Sequence, residues 1–258
     1  MIRRPPRSTQ GVSSAASDVY KRQQISEPIV NLMYRFWTVT ALRFVALFFV
    51  MAVTIAIYYY PGGNIHNPDQ PGYSLTHNFL SDLGGYHSHS GLVNFYSAFF
   101  FNQAMFLFIA VGIGFVFVPR LFNADPVNYK LSIVGSIFFL IGTICFAGVG
   151  LTPHDLNRST HIFLAVNAFR FLVPGSLAYL VVLLRSPVEN KYALVTLVYV
   201  IATSCYVIYQ IVSASPMDSQ AQMVEAATIQ KIIAFISVAT IFSLSFAFAS
   251  QITRLGLR

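Results

Sequence analysis

The chain has 258 residues, of which 55% are hydrophobic and only 10% are charged, and its formal net charge is +7. A soluble globular domain carries about 25% charged residues, so this composition excludes a chain whose whole surface is solvated. The mean hydropathy of +0.62 instead indicates an integral membrane protein that crosses the bilayer several times.

Residues 1–23 differ in character from the rest of the chain. They are basic and Ser-rich and have no apolar core, so they do not form a secretory signal. The segment resembles a translated sequencing adapter, and a natural basic leader is the alternative. It holds five Lys/Arg and one Asp, a surplus of four, so without it the net charge falls from +7 to +3. The basic balance therefore gives no indication of nucleic-acid binding.

Six apolar runs follow, and each is long enough to cross a bilayer as a helix, which takes about 20 residues. Their ends carry Pro, Gly and Ser residues of the kind that terminate helices. We predict an all-α fold, a bundle of six transmembrane helices over residues 38–252. A cytoplasmic N-terminal segment at 24–37 would precede it and a cytoplasmic tail at 253–258 would follow. The predicted spans are 38–60, 91–118, 131–151, 161–184, 192–214 and 228–252.

The distribution of basic residues predicts the orientation, because cytoplasmic loops of membrane proteins carry an excess of Lys and Arg. The opposite side of the predicted bundle holds only Arg158 and Lys231, so both termini are expected in the cytoplasm. The eight basic residues of the cytoplasmic side are Arg35, Arg43, Arg120, Lys130, Arg185, Lys191, Arg254 and Arg258.

All six histidines fall on the predicted extracytoplasmic side, together with five of the nine acidic residues. Scattered histidines would not segregate so completely. This pattern predicts a polar His/Asp site at the extracytoplasmic face that binds or acts on a lipid headgroup, with membrane lipids or a small molecule as its partners. The histidines are His66, His77, His87, His89, His154 and His161.

The first predicted loop contains the run THNFLSDLGGYHSHSG at residues 76–91. If residues 76–84 are helical, His77 stacks on Ser81 and Asn78 stacks on Asp82 at a spacing of four residues. Imidazole and carboxylate groups are the ligands that zinc takes in proteins. The competing interpretation is turn and cap chemistry, with Ser90 as the N-cap of the second span.

The third predicted loop reads LTPHDLNRSTHIFL at residues 151–164. Thr152 fits the N-cap of a helix, with Asp155 as the acid at its third position. Such a helix places His154 and His161 on one face at its outer end. We take His77, Asp82, His154 and His161 as candidate zinc ligands. Ser81, Asp82 and His154 are the candidate catalytic residues of a metal-dependent lipid hydrolase, with Ser81 as an oxyanion donor. Helix capping and a metal site are compatible, and the sequence leaves both open.

Arg170 would lie roughly 13 Å below His161 at 1.5 Å per residue, near the bilayer midplane. A charge at that depth is costly and is commonly functional. Asn167 precedes it by one turn, Asn102 lies on the second span, and Pro174 is expected to break the helix shortly afterwards. These residues support an alternative function, a transporter or receptor that binds an anionic small molecule through Arg170. A structural arginine bonded to backbone carbonyls is the other interpretation.

The runs HNFLSDLGGYHSHSGLVNFYSAFFFN and GVGLTPHDLNRSTH resemble a bacterial multipass membrane family designated domain of unknown function 998. The Ser-Asp-Leu-Gly core is also similar to the DRAM/Sfk-type membrane proteins. The resemblance covers about residues 38–252 and implies six helices and a bacterial inner membrane, but no activity. A fainter similarity is to the ceramidase-type membrane hydrolases, which bind zinc through Asp and His. Those proteins have seven helices and a closer histidine pair than His154 and His161.

Overall fold

The computed structural model of the protein describes residues 31–257, and the predicted leader at 1–23 lies outside them. Within this range the predicted all-α, six-helix fold is confirmed. All six long helices are apolar enough to cross a membrane, and the described residues form no strand. The helices are α1 (Asn31–Tyr59), α2 (Phe95–Phe122), α3 (Pro126–Leu151), α4 (Arg158–Arg185), α5 (Asn190–Val212) and α6 (Gln220–Arg254).

Three of the helices begin at a side-chain cap, which satisfies backbone N–H groups that have no partner in the first turn. Asp125 accepts from the N–H groups of Val127 and Asn128 at the start of α3. Asn157 caps α4 and Ser219 caps α6 in the same way. In lipid, a helix supplies all remaining backbone hydrogen bonds internally, so the apolar runs fold as helices.

Several helix boundaries differ from the predicted ones. The first helix already includes residues 31–37, and α6 begins at Gln220, eight residues before the predicted span. With 35 residues α6 is about 52 Å long, so its ends extend beyond a hydrocarbon core of about 30 Å. The predicted break at Pro174 is wrong, because α4 continues through it. Transmembrane helices tolerate proline when neighbouring groups satisfy the freed carbonyl.

The centre of the bundle is an aromatic cluster formed by four helices. Phe115 stacks on Phe139 with ring centroids 4.1 Å apart and meets Tyr179 and Phe248 edge-on. The helices α3 and α4 approach closely because Gly135 leaves room for the Tyr179 ring. Small residues at such contacts are the usual means of packing helices in lipid.

The two ends of the bundle differ in the length of the connections between their helices. One end, which we call the short-loop end, has only the connections 123–125 and 186–189. Arg185 pairs with Asp125 across this end, Nη2 to Oδ2 at 3.2 Å. The other end, which we call the capped end, is covered by the connections 60–94, 152–157 and 213–219. The longest of these includes a short 3₁₀ helix, Leu80–Gly84.

Candidate metal centre

Asn78 organises the long connection at the capped end. It is fully buried, and its amide donates to the Gly63 carbonyl at 2.8 Å and to Asp82 Oδ2 at 3.0 Å. Its carbonyl oxygen accepts from the Gln70 amide and from the Ser74 backbone N–H. The side chain is therefore held on all sides, and the predicted pairing of Asn78 with Asp82 is present.

Asp82 lies at the start of the 3₁₀ helix and is only 3% exposed. Its Oδ2 atom accepts two hydrogen bonds, from Asn78 and from the Phe79 backbone N–H at 2.9 Å. Its Oδ1 atom lies 3.3 Å from His89 Nε2. One carboxylate oxygen is therefore held in place by the loop, while the other faces a histidine.

His89 reaches Asp82 because the connection folds back on itself. Gly63, with φ +81°, packs directly against the backbone of His89 and Ser90, where a Cβ atom would collide. The Tyr60 hydroxyl accepts from the His89 backbone N–H and donates to the Gly63 carbonyl. Burial, aided by the Asp82 charge, raises the pKa of Tyr60, so this phenol remains a neutral donor.

His154 comes from the connection between α3 and α4 and completes the cluster. The neighbouring Asp155 accepts from the backbone N–H groups of Tyr86 and His87, both at 2.9 Å. Burial opposes ionisation of Asp155, but these hydrogen bonds outweigh it and lower its pKa. A Cβ atom on Gly85 would lie 2.6 Å from the His154 ring, so this glycine leaves space for the imidazole. Asp155 thus clamps the two connections together.

One donor atom each from Asp82, His89 and His154 lies within 4.8 Å of the other two. In the two histidines, His89 Nε2 and His154 Nδ1 are buried and have no hydrogen-bond partner among the described residues. The 3.3 Å between His89 and Asp82 is close enough for an ion pair, but its geometry is not that of a hydrogen bond. Donor atoms around tetrahedral zinc, bound at about 2.0–2.1 Å, are separated by about 3.3 Å. The three groups therefore fit one metal ion.

The electrostatics of the cluster favour a neutral His154. Burial lowers the pKa of His154, and the Asp82 carboxylate opposes this shift only in part. Nδ1 of the His154 ring has no hydrogen-bond partner among the described residues. A neutral imidazole is what a metal ligand requires.

An apolar cavity lies directly below the cluster, and His161 and Ser81 are among the residues that line it. The His161 ring lies 6.0 Å from the His154 ring, centroid to centroid, and its Nδ1 is 2.7 Å from the Thr152 carbonyl. A carbonyl can only accept, so Nδ1 carries the proton and Nε2 is the basic nitrogen. His161 is therefore a candidate proton carrier next to the three converging groups.

The structure brings together only part of the predicted zinc set. Asp82 and His154 converge, and His161 lies beside them. His77 lies apart from the cluster, because its ring binds the hydroxyls of Ser74 and Thr76. The reason is local: the 3₁₀ helix begins only at Leu80, so His77 is not on the predicted helix.

The predicted anion-binding set does not form one site. Arg170 is exposed on the outer surface of α4, and no acidic group of residues 31–257 lies within ion-pair distance of it. Asn167 donates to the Phe163 carbonyl of its own helix, and Asn102 donates to the Gly84 carbonyl. Arg170 therefore faces away from the bundle interior in which the prediction placed it.

The two predicted caps are also not formed. The Thr152 hydroxyl donates to the Gly148 carbonyl at the end of α3, and Asn157 caps α4 instead. Ser90 pairs with the Ser88 hydroxyl, and α2 starts only after Asn94. Both predicted caps lie several residues before the actual helix starts, since each connection continues further than the apolar pattern indicates.

Sequence reasoning missed three contributions to the site. His89 was grouped with the other histidines of the predicted extracytoplasmic side but was not predicted as a ligand. Asp155 was taken as part of a helix cap, although it clamps two connections. From α6, Gln230 Oε1 accepts from the Leu80 backbone N–H at 2.8 Å, and Lys231 Nζ donates to the Asn78 carbonyl. The position of Lys231 near the outer end of α6 was the only sequence signal of this link.

Comparisons with protein-family models, with curated proteins and with solved structures found no match to this chain. The resemblances described above therefore remain predictions.

Proposed function

We propose that the protein is a zinc-dependent hydrolase that cleaves an ester or amide bond of a membrane lipid. The reaction would take place at the extracytoplasmic face of a bacterial inner membrane. The observation that carries the proposal is the convergence of Asp82, His89 and His154 within 4.8 Å, with two buried ring nitrogens unpartnered. Two histidines and one carboxylate form the kind of three-ligand set that catalytic zinc sites use, with one position left open.

Asp82 Oδ1, His89 Nε2 and His154 Nδ1 are the atoms that would hold the ion. When bound, zinc supplies a Lewis acid and lowers the pKa of water to about 7. The residues around the ligands support this assignment. Asn78 and the Phe79 N–H orient Asp82. Such outer contacts orient metal ligands and strengthen binding.

Two groups that line the cavity fit the remaining chemistry. In the hydrolysis, the hydroxyl of water joins the acyl carbon and the bond to the leaving oxygen or nitrogen breaks. The proton of that water passes to the leaving group, so the products are a carboxylic acid and an alcohol or amine. His161 Nε2 is suited to carry this proton, and the Ser81 hydroxyl is suited to donate to the developing oxyanion.

The test compares two histidines of the same connection. Purified protein is stripped with a chelator, reloaded with zinc at neutral pH and analysed for bound metal. We expect one zinc for each wild-type chain and none for His89→Ala, because the remaining two ligands cannot hold the ion. His77→Ala is the matched control and should bind zinc normally. Wild-type protein that takes up no zinc, or equal loss in both variants, would overturn the proposal.

A further inference from the structure

Arg170 is a charged residue on the lipid-facing side of a transmembrane helix. It lies near the middle of α4, 12 residues from Arg158 and 15 residues from Arg185, and its side chain is exposed. Arginines close to a helix end can extend to the membrane surface, but both ends of α4 lie about 18 Å or more from Arg170. A charge at this depth is costly unless it is paired.

The other basic residues at a similar depth are paired within the chain. Only Arg43, Arg170 and Lys231 lie more than ten residues from both ends of their helices. Arg43 donates to the Ser245 hydroxyl at 3.1 Å, and Lys231 donates to the Asn78 carbonyl. Arg170 forms no hydrogen bond or ion pair with any residue that the structure describes. Its partner must therefore come from outside these residues.

Two further polar groups next to Arg170 also have no partner. Pro174 has no N–H, so the Arg170 carbonyl lacks the hydrogen bond that it would accept from four residues further along α4. Asn167 donates to the Phe163 carbonyl, but its own side-chain oxygen accepts from no described residue. Unsatisfied polar groups are costly in lipid, and here three of them lie within two turns of one helix.

The residues around Arg170 form a stripe that fits a second helix. Phe163 and Leu177, at its two ends, are 64% and 51% exposed. From the first residue to the last, the spacings are four, three, four and three residues, which is the alternation of the seam between two helices packed side by side. We call this surface the α4 stripe, and it consists of Phe163, Asn167, Arg170, Pro174 and Leu177.

We infer that the α4 stripe binds a transmembrane helix of another membrane protein, one that carries an Asp or Glu at the depth of Arg170. Such a carboxylate accepts from the guanidinium and neutralises its charge within the lipid. A second copy of this chain does not supply it, because the only acidic residue in the six helices is Glu225, five residues from the start of α6. Two copies joined through their α4 stripes would bring two Arg170 charges together. The contact is independent of the proposed hydrolase.

The test uses synthetic transmembrane peptides as probes. A Leu/Ala helix of about 20 residues carries Glu at its centre, and matched peptides carry Leu or Lys there. Protein and peptide, each with a fluorophore, are reconstituted in phosphatidylcholine vesicles, and energy transfer measures their binding. We expect the wild type to bind the Glu peptide about tenfold more tightly than the Leu peptide, the scale of polar contacts between helices in lipid. Arg170→Glu should instead prefer the Lys peptide.

Three further variants separate the charge from the fold. Arg158→Leu makes a matched change at the exposed end of the same helix and should keep the wild-type preference. Arg170→Leu should abolish the preference, whereas Arg170→Lys keeps a positive charge and should retain part of it. Equal binding of all three peptides by the wild type, or a Glu preference that survives in Arg170→Leu, would overturn the inference. So would a wild type that ignores the peptides but loses bound spin-labelled phosphatidylglycerol on Arg170→Leu, because Arg170 would then bind a lipid headgroup.

Discussion

The two carboxylate oxygens of Asp82 have different surroundings, and this asymmetry defines the site. Oδ2 is saturated by Asn78 and by a backbone N–H, whereas Oδ1 has only the His89 nitrogen at 3.3 Å. The loop therefore fixes the carboxylate through Oδ2 and leaves Oδ1 available to bind a cation.

This arrangement predicts that Asn78 controls zinc affinity without touching the ion. Asn78→Ala removes one of the two hydrogen bonds to Asp82 Oδ2 and holds the carboxylate less firmly, so zinc affinity should fall about 10–100-fold. Competition with a chromogenic chelator measures the change. Asn67→Ala is the control, since the exposed Asn67 side chain accepts only from the Asp69 backbone N–H. Equal affinity in wild type and Asn78→Ala would show that Asp82 does not depend on this support.

At the level of elements, the candidate metal centre lies where two connections meet, and neither could form it alone. Asp82 and His89 belong to the connection between α1 and α2, and His154 belongs to the one between α3 and α4. The helix α6 supports the first connection through Gln230 and Lys231. The relative position of four helices therefore sets the distances between the donor atoms.

Asp155 is the only residue whose side chain joins these two connections by hydrogen bonds among those described. Asp155→Ala should cost about 1.5–3 kcal/mol for hydrogen bonds to a charged group, chiefly by freeing the segment around Tyr86. Hydrogen exchange should then become faster at the amides of Tyr86 and His87. Asp69→Ala, an acid in the same connection without such contacts, should leave both amides protected. Unchanged exchange in Asp155→Ala would contradict the clamp.

The helices could be predicted from the sequence because each is a long apolar run, and a bilayer leaves such a run no other fold. The metal centre could be predicted only in part. Asp82 and His154 stood out by type and position, but His89 reaches the site through contact of Gly63 with the chain near Ser90, a link between distant residues. The prediction that Arg170 faces the bundle interior was wrong, because the structure shows this residue exposed. Counting residues gives the depth of a side chain along the helix, whereas the direction it faces depends on how the helix packs.

At the level of the whole molecule, a group of arginines lies at one end of the bundle and the candidate metal centre lies at the other. The short-loop end holds Arg120, Arg185 and Arg254, and Arg254 bonds the Pro187 carbonyl at 2.6 Å. The capped end holds the candidate metal centre and the part of the cavity lined by Ser81 and His161. Since loops rich in Arg and Lys remain in the cytoplasm, we expect the short-loop end inside and the capped end outside.

This orientation can be tested with single cysteines in a background that lacks Cys145 and Cys205. Tyr86→Cys and Leu156→Cys lie at exposed positions of the capped end, and Asn123→Cys lies at an exposed position of the short-loop end. In intact cells, a membrane-impermeant maleimide should label the first two and spare the third, which should react only after lysis. The spared Asn123→Cys thus serves as the control for membrane integrity. Labelling of Asn123→Cys in intact cells, with Tyr86→Cys and Leu156→Cys protected, would invert the orientation and place the metal centre on the cytoplasmic side.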